Sequence, residues 1–387
     1  MKAHVRLRGR RWYAVIEAPK DAGGNRKRKW RRLPAGLKGK KEAETEAAKL
    51  VVKMSSATYL EPSKTTLAVY LDRWLDHMRS QVSPRTRENY GEVVTILNPL
   101  LGNVPLLKLK PAEIAKAWSD ALRSGRKDRK GGLSTRSVQL MHRVLSQALK
   151  QAIKWELLES NPAAAVKPPR VERKQMKVLD AEQTAALIKF ARGRPRMFMP
   201  VLLSALCGLR RGEVAALKWQ AIDLDAAQMA VTITLEQTAD GLREKPPKSG
   251  KARTVALPAI VVEELRRHRI KQAEELLRLG IRQTDVINVC LREDASIWPP
   301  QVMTTAFRRF IKASGLPHIR LHDLRHTHAT HLLTNKIHPK VVQERLGHAT
   351  ISMTMDLYSH VMPGMQQEAA ASIDATLRSA MKKQDSR

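Results

Sequence analysis

The sequence predicts a mainly α-helical protein with small β elements, and three observations carry that expectation. Apolar residues recur at helical spacing through most of its 387 residues. Alternating, β-rich runs are confined to the first 33 residues and to the stretch between 229 and 257. Two polar, proline-bearing breaks, at Glu61-Pro62-Ser63 and from Asn161-Pro162 to Lys167-Pro168-Pro169-Arg170, divide the chain into three modules. The expected order is a three-stranded sheet plus helix over residues 1–58, a four-helix domain over 62–165, and a helix-rich domain with a β-hairpin over 172–387 that ends in a helical tail.

In the first module, His4 to Arg8 and Arg11 to Ala18 are strand runs parted by a turn at Gly9. In the second run Trp12, Ala14 and Ile16 alternate with Tyr13, Val15 and Glu17. The loop Asp21 to Asn25 leads to a third run, where Trp30 stands amid Arg26, Lys27, Arg28, Lys29, Arg31 and Arg32. A strand so charged cannot be core on both faces, so one face is expected to lie on phosphate, with these six cations as candidate nucleic-acid contacts. Ala47, Leu50, Val51 and Met54 then repeat at helical spacing between Lys41 and Ser55.

The second module opens with Leu67, Tyr70, Leu71, Trp74, Leu75 and Met78 on one helical face. Ser83-Pro84 supplies an N-cap and a first-turn proline for the next helix, Pro111 starts a third with Ile114, Trp118 and Ala121 in register, and Ser134 starts a fourth through Met141, Leu145 and Leu149. Arg85, Arg87 and Arg136, near the starts of two of these helices, are further candidate contacts to nucleic acid. In the third module Asp180 and Gln183 form a capping-box pattern. The runs Met229 to Leu235 and Arg253 to Leu257 are expected to pair as a hairpin across a polar turn from Thr238 to Lys251. The tail from Met365 to Met381 reads as helix.

Charge narrows the function. Lys and Arg number 70 against 37 Asp and Glu, a formal net charge of +33, and the cations run along the whole chain. Such a surplus releases counterions from polyanions, which makes nucleic acid the leading partner over an acidic membrane or a ribosomal surface. No apolar run approaches the roughly 20 residues of a membrane span, and Met1 to Arg11 lacks the apolar stretch of a secretory signal. The expected compartment is the cytoplasm, on the nucleoid. Cys207 and Cys290 lie far apart among apolar neighbours and read as buried small hydrophobes, not as a disulfide or zinc pair.

Four patterns in the third module could carry chemistry. In Cys207-Gly208-Leu209-Arg210-Arg211-Gly212-Glu213, Gly208 ends one helix and Arg210 sits where the next begins, with Glu213 one turn later to orient its guanidinium. Lys245, Lys248 and Lys251 share the hairpin turn, where an ammonium can donate a proton. In His322-Asp323-Leu324-Arg325, the histidine and arginine are three apart and can address one phosphate. His348 in Leu346-Gly347-His348 precedes Tyr358 by ten residues. A tyrosine phenolate is a competent nucleophile at phosphorus, and the two arginines would neutralise the non-bridging oxygens without a metal ion or other cofactor. A zinc site built on His318, His322, His326, His328 and His331 competes, because His322 and His326 have i, i+4 spacing. Asp323 stands where the glutamate of a zinc-protease helix would be, and Arg325 would repel a dication.

Together the strings GLRRGE at 208–213, KSGKARTVAL at 248–257, HDLRHTHAT at 322–330, LGHATI at 346–351 and DLYSH at 356–360 resemble the tyrosine recombinases, and among them the phage-type integrases of mobile elements. The resemblance covers about 180 residues and implies a cofactor-free DNA strand exchange. It implies that Tyr358 forms a 3′-phosphotyrosyl bond, that Arg210 and Arg325 hold the scissile phosphate, and that Lys248 protonates the 5′-oxygen. It also implies that His322 serves as acid and base, that His348 hydrogen-bonds the phosphate and that Glu213 supports the arginine site. Ala256 departs from the proline many relatives carry and touches no chemistry.

By the same resemblance, residues 1–58 are an arm-type DNA-binding domain, 62–165 a SAM-like core-binding domain and 172–387 the catalytic domain. The implied partners are double-stranded DNA at core and arm attachment sites and three further copies in a tetramer, with a DNA-bending host factor and an excision factor as candidate accessories. The tail would dock on a neighbouring protomer or fold back on its own. An N-terminal module of this kind favours an element integrase over a chromosome-resolving recombinase, which lacks one. A non-cleaving DNA-binding relative, a zinc hydrolase and a type IB topoisomerase are the competing readings.

Overall fold

The fold was obtained as a computed structural model, which describes residues 2–9, 11–17, 28–37, 39–55, 65–126, 131–172, 176–247, 250, 252–355 and helical positions between 370 and 381. Its contacts divide the chain into Met1–Val171 and Glu172–Arg387. The elements come in the expected order, a small sheet with a helix, then four helices, then a helix-rich stretch with short strands, and the first two groups fall within one unit.

The N-terminal sheet is antiparallel, β1 (Lys2–Arg8), β2 (Arg11–Glu17) and β3 (Arg28–Arg32) in that order. Helix α1 (Lys40–Ser55) packs on one face. Alternation decides which side chains meet it: Ala14 and Ile16 are buried with Leu33, Ala43 and Ala47, and Val5, Trp12 and Leu50 close the cluster. The opposite face carries the cross-strand row Arg6–Tyr13–Arg32 and, beside it, Val15–Trp30. Tyr13 and Trp30 meet edge to face with centroids 6.2 Å apart.

In the helical domain, α2 (Leu67–Met78), α3 (Pro84–Leu101), α4 (Pro111–Ser124) and α5 (Thr135–Lys154) start where their caps dictate. The hydroxyls of Thr66, Ser83 and Ser134 accept backbone N–H groups of the first turns, and Pro84 and Pro111 open their helices. Their apolar stripes converge on Leu71, Trp74, Leu97, Ile114, Met141 and Leu145. The Tyr70 hydroxyl is satisfied by donating to Ala148 O at 2.6 Å.

The last unit contains α6 (Ala181–Arg192), α7 (Pro195–Leu206), α8 (Arg211–Ala216), strands β4 (Ile222–Asp223), β5 (Gln228–Val231), β6 (Thr234–Thr238), β7 (Gly241–Lys245) and β8 (Arg253–Ala256), then α9 (Ala259–Arg278), α10 (Pro300–Ala313), α11 (Asp323–Thr334) and α12 (Pro339–Leu346). Asp180 and Gln183 make the capping box that starts α6. The tail is helical at 370–371, 373–375, 377–378 and 381.

The hairpin differs from its sequence reading. The run 229–235 is broken after Val231: β5 pairs with β8, whereas β6 pairs with β7, a strand inside the stretch read as a turn. Strand β7 shows no apolar alternation because it is held by charge, with Glu244 paired to Lys218 at 2.7 Å and Lys245 paired to Glu236. Helix α8 lies so close to β6 that a Cβ on Gly212 would stand 2.5 Å from Thr234 Oγ1 and 2.7 Å from Leu235 O. Gly212→Ala is expected to cost about 1–3 kcal/mol, the range for overpacking a tight core. It should appear as a lower urea midpoint at unchanged m value, and an unchanged midpoint would contradict the packing described.

Candidate active site

Arg210 owes its place to backbone geometry. Gly208 follows α7 at φ +68°, and a Cβ there would stand 2.6 Å from Leu346 Cδ2 and 2.7 Å from His328 Cδ2. Only glycine lets the α7–α8 turn seat so closely on α11 and α12. Arg210 is the N-cap of α8, and the Glu213 carboxylate reaches back to it. Oε2 accepts the Arg210 backbone N–H at 2.9 Å and Oε1 accepts Nη1 at 2.8 Å. Glu213 is 2% exposed. Burial by itself would raise its carboxyl, but hydrogen bonds and charge from Arg253, then from Arg210, hold it down at about 2.

Three arginines meet the end of α12. Arg253 Nε donates to Arg345 O at 2.9 Å, Arg325 Nη2 to Leu346 O, and Arg210 Nη2 to Gly347 O at 2.9 Å. These are consecutive carbonyls, the negative end of a helix whose last turn closes at Gly347 with φ +62°. Arg325, 1% exposed, also donates Nη1 to Gly208 O at 2.6 Å and so ties the two glycine turns together.

His348 follows Gly347, and its Nδ1 meets the Thr354 hydroxyl at 2.9 Å. Burial, then the charges of Arg325 and Arg210, hold it at about 3. His322 ends the turn before α11 with its ring edge-on to His326, centroids 5.0 Å apart. Partial burial, then His326, Arg325 and Arg210, lower it to about 4 against the pull of Asp323. Both imidazoles are therefore neutral at pH 7, beside guanidiniums that would attract a phosphate.

Two further histidines, His328 and His331, are turned elsewhere. His328 Nδ1 faces Ala205 O at 3.1 Å while Nε2 accepts from Arg345 Nε at 3.0 Å, an arrangement that requires the neutral Nδ1–H tautomer. His331 Nε2 donates to Leu179 O at 2.9 Å. Among the described residues no three His, Cys, Asp or Glu are placed to hold a metal ion. Cys207 and Cys290 are both buried and free.

Of the sequence-derived candidates, Arg210, Glu213, His322, Arg325 and His348 come together. Lys248 and Tyr358 lie outside the described residues, as do Arg26 and Lys27. Lys245 is engaged by Glu236. Arg28 and Lys29 lie on β3, as do Arg31 and Arg32, whose faces differ: Arg31 pairs with Ala14 on the α1 side, whereas Arg32 pairs with Tyr13 on the open side. Arg85 is ion-paired to Glu88 at 2.9 Å, Arg87 is half-buried on α3, and Arg136 is exposed at the start of α5. The sequence reading did not single out Arg253, Arg345, Thr354 or the face bearing Arg6 and Tyr13. The signal for Arg253 was its position two before Val255 on the inward face of β8.

Two family models match the chain, one described as "Phage integrase family" over residues 177–364 and one as "Phage integrase, N-terminal SAM-like domain" over residues 66–122. The ICEBs1 integrase of Bacillus subtilis is 30% identical over 64% of this chain and 67% of its own length. A "Tyrosine recombinase XerC-like" protein of Caldanaerobacter subterraneus subsp. tengcongensis is 24% identical over 87% of this chain and 90% of its own. Among solved structures, the Tn1549 transposon integrase in complex with a circular intermediate DNA aligns at a TM-score of 0.68 and 20% identity, over 81% of this chain and all of that one. A lambda integrase tetramer bound to a Holliday junction aligns at 0.56 and 20%, over 92% and 94%.

The lowered histidines make stability depend on pH with a definite sign. A histidine whose folded pKa lies below its ordinary 6.5 contributes fully above 6.5, and its contribution is lost as pH falls towards the folded value. For His322, His328 and His348 those folded values are about 4, 3 and 3. The melting temperature of the DNA-free protein should therefore fall between pH 6.5 and 4, and His328→Asn, which keeps a donor for Ala205 O, should make the fall shallower. A flat wild-type profile over that range would refute this.

Proposed function

The chain belongs to the phage integrase family of tyrosine recombinases, and from that premise we propose that it is a site-specific DNA recombinase that integrates and excises a mobile element. The observation that carries the reading is the cluster of Arg210, Arg325, His322 and His348 about one position, with their charges acting on one another. In the proposed first step the Tyr358 oxygen bonds to the scissile phosphorus, its proton passes to His322, and the bond to the 5′-oxygen breaks as Lys248 protonates that leaving group. The product is a 3′-phosphotyrosyl ester, and attack by a 5′-hydroxyl from the other duplex reverses the step on a new partner. Ester is exchanged for ester, so no nucleotide hydrolysis is required.

Each described residue has a part in this scheme. Arg210 and Arg325 take the non-bridging oxygens, whose charge grows in the transition state. His348, fixed at Nδ1 by Thr354, turns Nε2 to the phosphate. His322 is neutral before substrate arrives and so can accept a proton, and the arriving anion offsets the cationic neighbours that hold it down, which suits the later return of that proton. Lys245 is already paired with Glu236, which supports Lys248 as the acid.

The remaining modules are read in the same way. The sheet face with Arg6, Tyr13, Trp30 and Arg32 suits arm-type DNA, and α5 presents Arg136, Arg143 and Lys150 outward for the core site. The tail exposes Ile373, Leu377 and Met381 at i, i+4, i+8, an apolar stripe that would dock on a neighbouring protomer in a tetramer. Among the described residues no helix is long and apolar enough to cross a membrane. A net charge of +33 and a DNA substrate support action on the nucleoid of a bacterial host.

The test uses wild type and Tyr358→Phe with duplex DNA flanking the gene, in EDTA and without ATP. After denaturation only the wild type should carry a covalent DNA 3′ end. Arg210→Ala and Arg325→Ala should each slow its formation by about 100- to 1,000-fold. An adduct that survives Tyr358→Phe would exclude the assigned nucleophile, and a DNA-bound wild type that never forms one would favour a non-cleaving relative. Binding should also weaken steeply with salt, and a flat dependence between 50 and 200 mM would contradict the implied phosphate contacts.

A further inference from the structure

We infer that Arg253 is a positioning residue of the phosphate site, which shares the Glu213 carboxylate with Arg210 so that Arg210 keeps its charge and its direction for the scissile phosphate. The inference rests on the recombinase reading and adds a residue to it.

Arg253 cannot itself receive the phosphate. Its side chain is 7% exposed, and all three of its nitrogens are used inside the protein. Nη1 and Nη2 donate to Glu213 Oε1 and Oε2 at 2.9 and 2.6 Å, and Nε donates to Arg345 O at 2.9 Å. The first two bonds form the parallel fork in which arginine best meets a carboxylate. Glu213 then gives Arg210 only one side-chain bond, at Oε1, together with the backbone bond at Oε2.

The consequence follows from the number of charges. Arg210, Arg253 and Arg325 set against Glu213 leave two positive charges, which match the two negative charges that a phosphodiester carries as its fifth oxygen arrives. Without Arg253, one positive charge would remain, and the vacated half of the carboxylate would draw the Arg210 fork onto itself. The Arg210 guanidinium would then be neutralised by Glu213 and turned from the phosphate.

Arg253 also fixes where the site stands. It bonds the first of the three carbonyls that close α12, and a Cβ on Gly347 would stand 3.0 Å from Arg253 Cδ, so the turn leading to His348 is shaped against this side chain. Arg253 opens β8, five residues after Lys248. The strand that emerges from the lysine-bearing turn is thereby tied to both arginines and to the histidine turn.

The experiment compares wild type, Arg253→Gln and Arg253→Lys in single-turnover cleavage of a duplex carrying the site mapped by the covalent adduct. One substrate has the natural scissile phosphodiester and the other a methylphosphonate there, which lacks the negative charge that Arg210 and Arg325 must neutralise. With DNA affinity unchanged, Arg253→Gln should cleave the phosphodiester about 100-fold more slowly, the scale of a misplaced catalytic group. It should cleave the methylphosphonate at close to the wild-type rate, and Arg253→Lys, which restores charge without the fork, should lie between. Equal losses on both linkages, or no loss, would overturn the assignment. Arg253→Lys decides the matter in the same way if Arg253→Gln does not fold. Failure of wild type to cleave either linkage would instead refute the recombinase reading itself.

Discussion

One buried carboxylate and the end of one helix hold three guanidiniums, and the rest of the catalytic unit is arranged around that fact. Taking a charged group out of water costs several kcal/mol even after relaxation. Glu213 offsets this for Arg210 and Arg253, with which it is ion-paired. Arg325 forms no ion pair among the described residues and rests on the carbonyls of Gly208 and Leu346, with the Glu213 charge acting on it from further away. Neutral carbonyls take these two N–H bonds, and one carboxylate set against three arginines leaves the cluster net positive. The DNA-free site is therefore satisfied in hydrogen bonds but not in charge, a condition that an arriving phosphate relieves. On the recombinase reading, stability would be given up at this point for affinity towards an anion, the usual direction of that exchange at a functional site.

Holding cations this close requires backbone that can approach backbone. Gly208 and Gly347 both take left-handed conformations, and each would drive a Cβ into a neighbour that belongs to the site. Helix α8, only six residues long, could not hold Arg210 in place by its own hydrogen bonds. It is braced from behind, where Asn288 Nδ2 donates to Ala215 O at 2.9 Å. Gln272 then holds the carbonyls of Asn288 and Val289 and accepts from Trp219 Nε1 at 2.6 Å. This network is buried, so each member is costly to leave unpaired, which makes the helix start a fixed point.

Much of this was legible in the sequence, for reasons that are local. Ser83, Pro84, Pro111, Ser134 and Asp180 declare helix starts because a cap acts within four residues. Arg210 and Glu213 could be paired on paper because they are one helical turn apart. What escaped was set by contacts distant in sequence. Strand β7 has no apolar rhythm and carries one ion pair across the hairpin, Lys245 to Glu236, and another to Lys218 outside it, so it read as a turn. Arg31 and Arg32 look alike in a basic run, and only the register against Ala14 and Tyr13 separates a residue on the α1 side of the sheet from one on the opposite face. Arg253 reads as one more cation beside a basic turn, and its role exists only because Glu213, 40 residues earlier, lies opposite it.

The neutral histidines follow from burial first and then from the same concentration of charge. In an ordinary setting an imidazole near pH 7 is half committed to carrying a proton. Burial, and after it the nearby charges that include Arg325 and Arg210, push His322 and His348 well below that range. Each pair of like charges is also a coupling, so a change at the arginines is felt at the rings. A phosphodiester that neutralises the arginines removes part of what keeps His322 unprotonated. In the proposed mechanism, His322 would thereby become able to retain the proton it takes from Tyr358 and return it in the reverse step. On the recombinase reading, acid–base competence at this site would be conditional on occupancy: Arg210 and Arg325, the two arginines proposed to take the phosphate, also act on His322, the group proposed to move the proton, and the Glu213 carboxylate sets how much of their charge is felt.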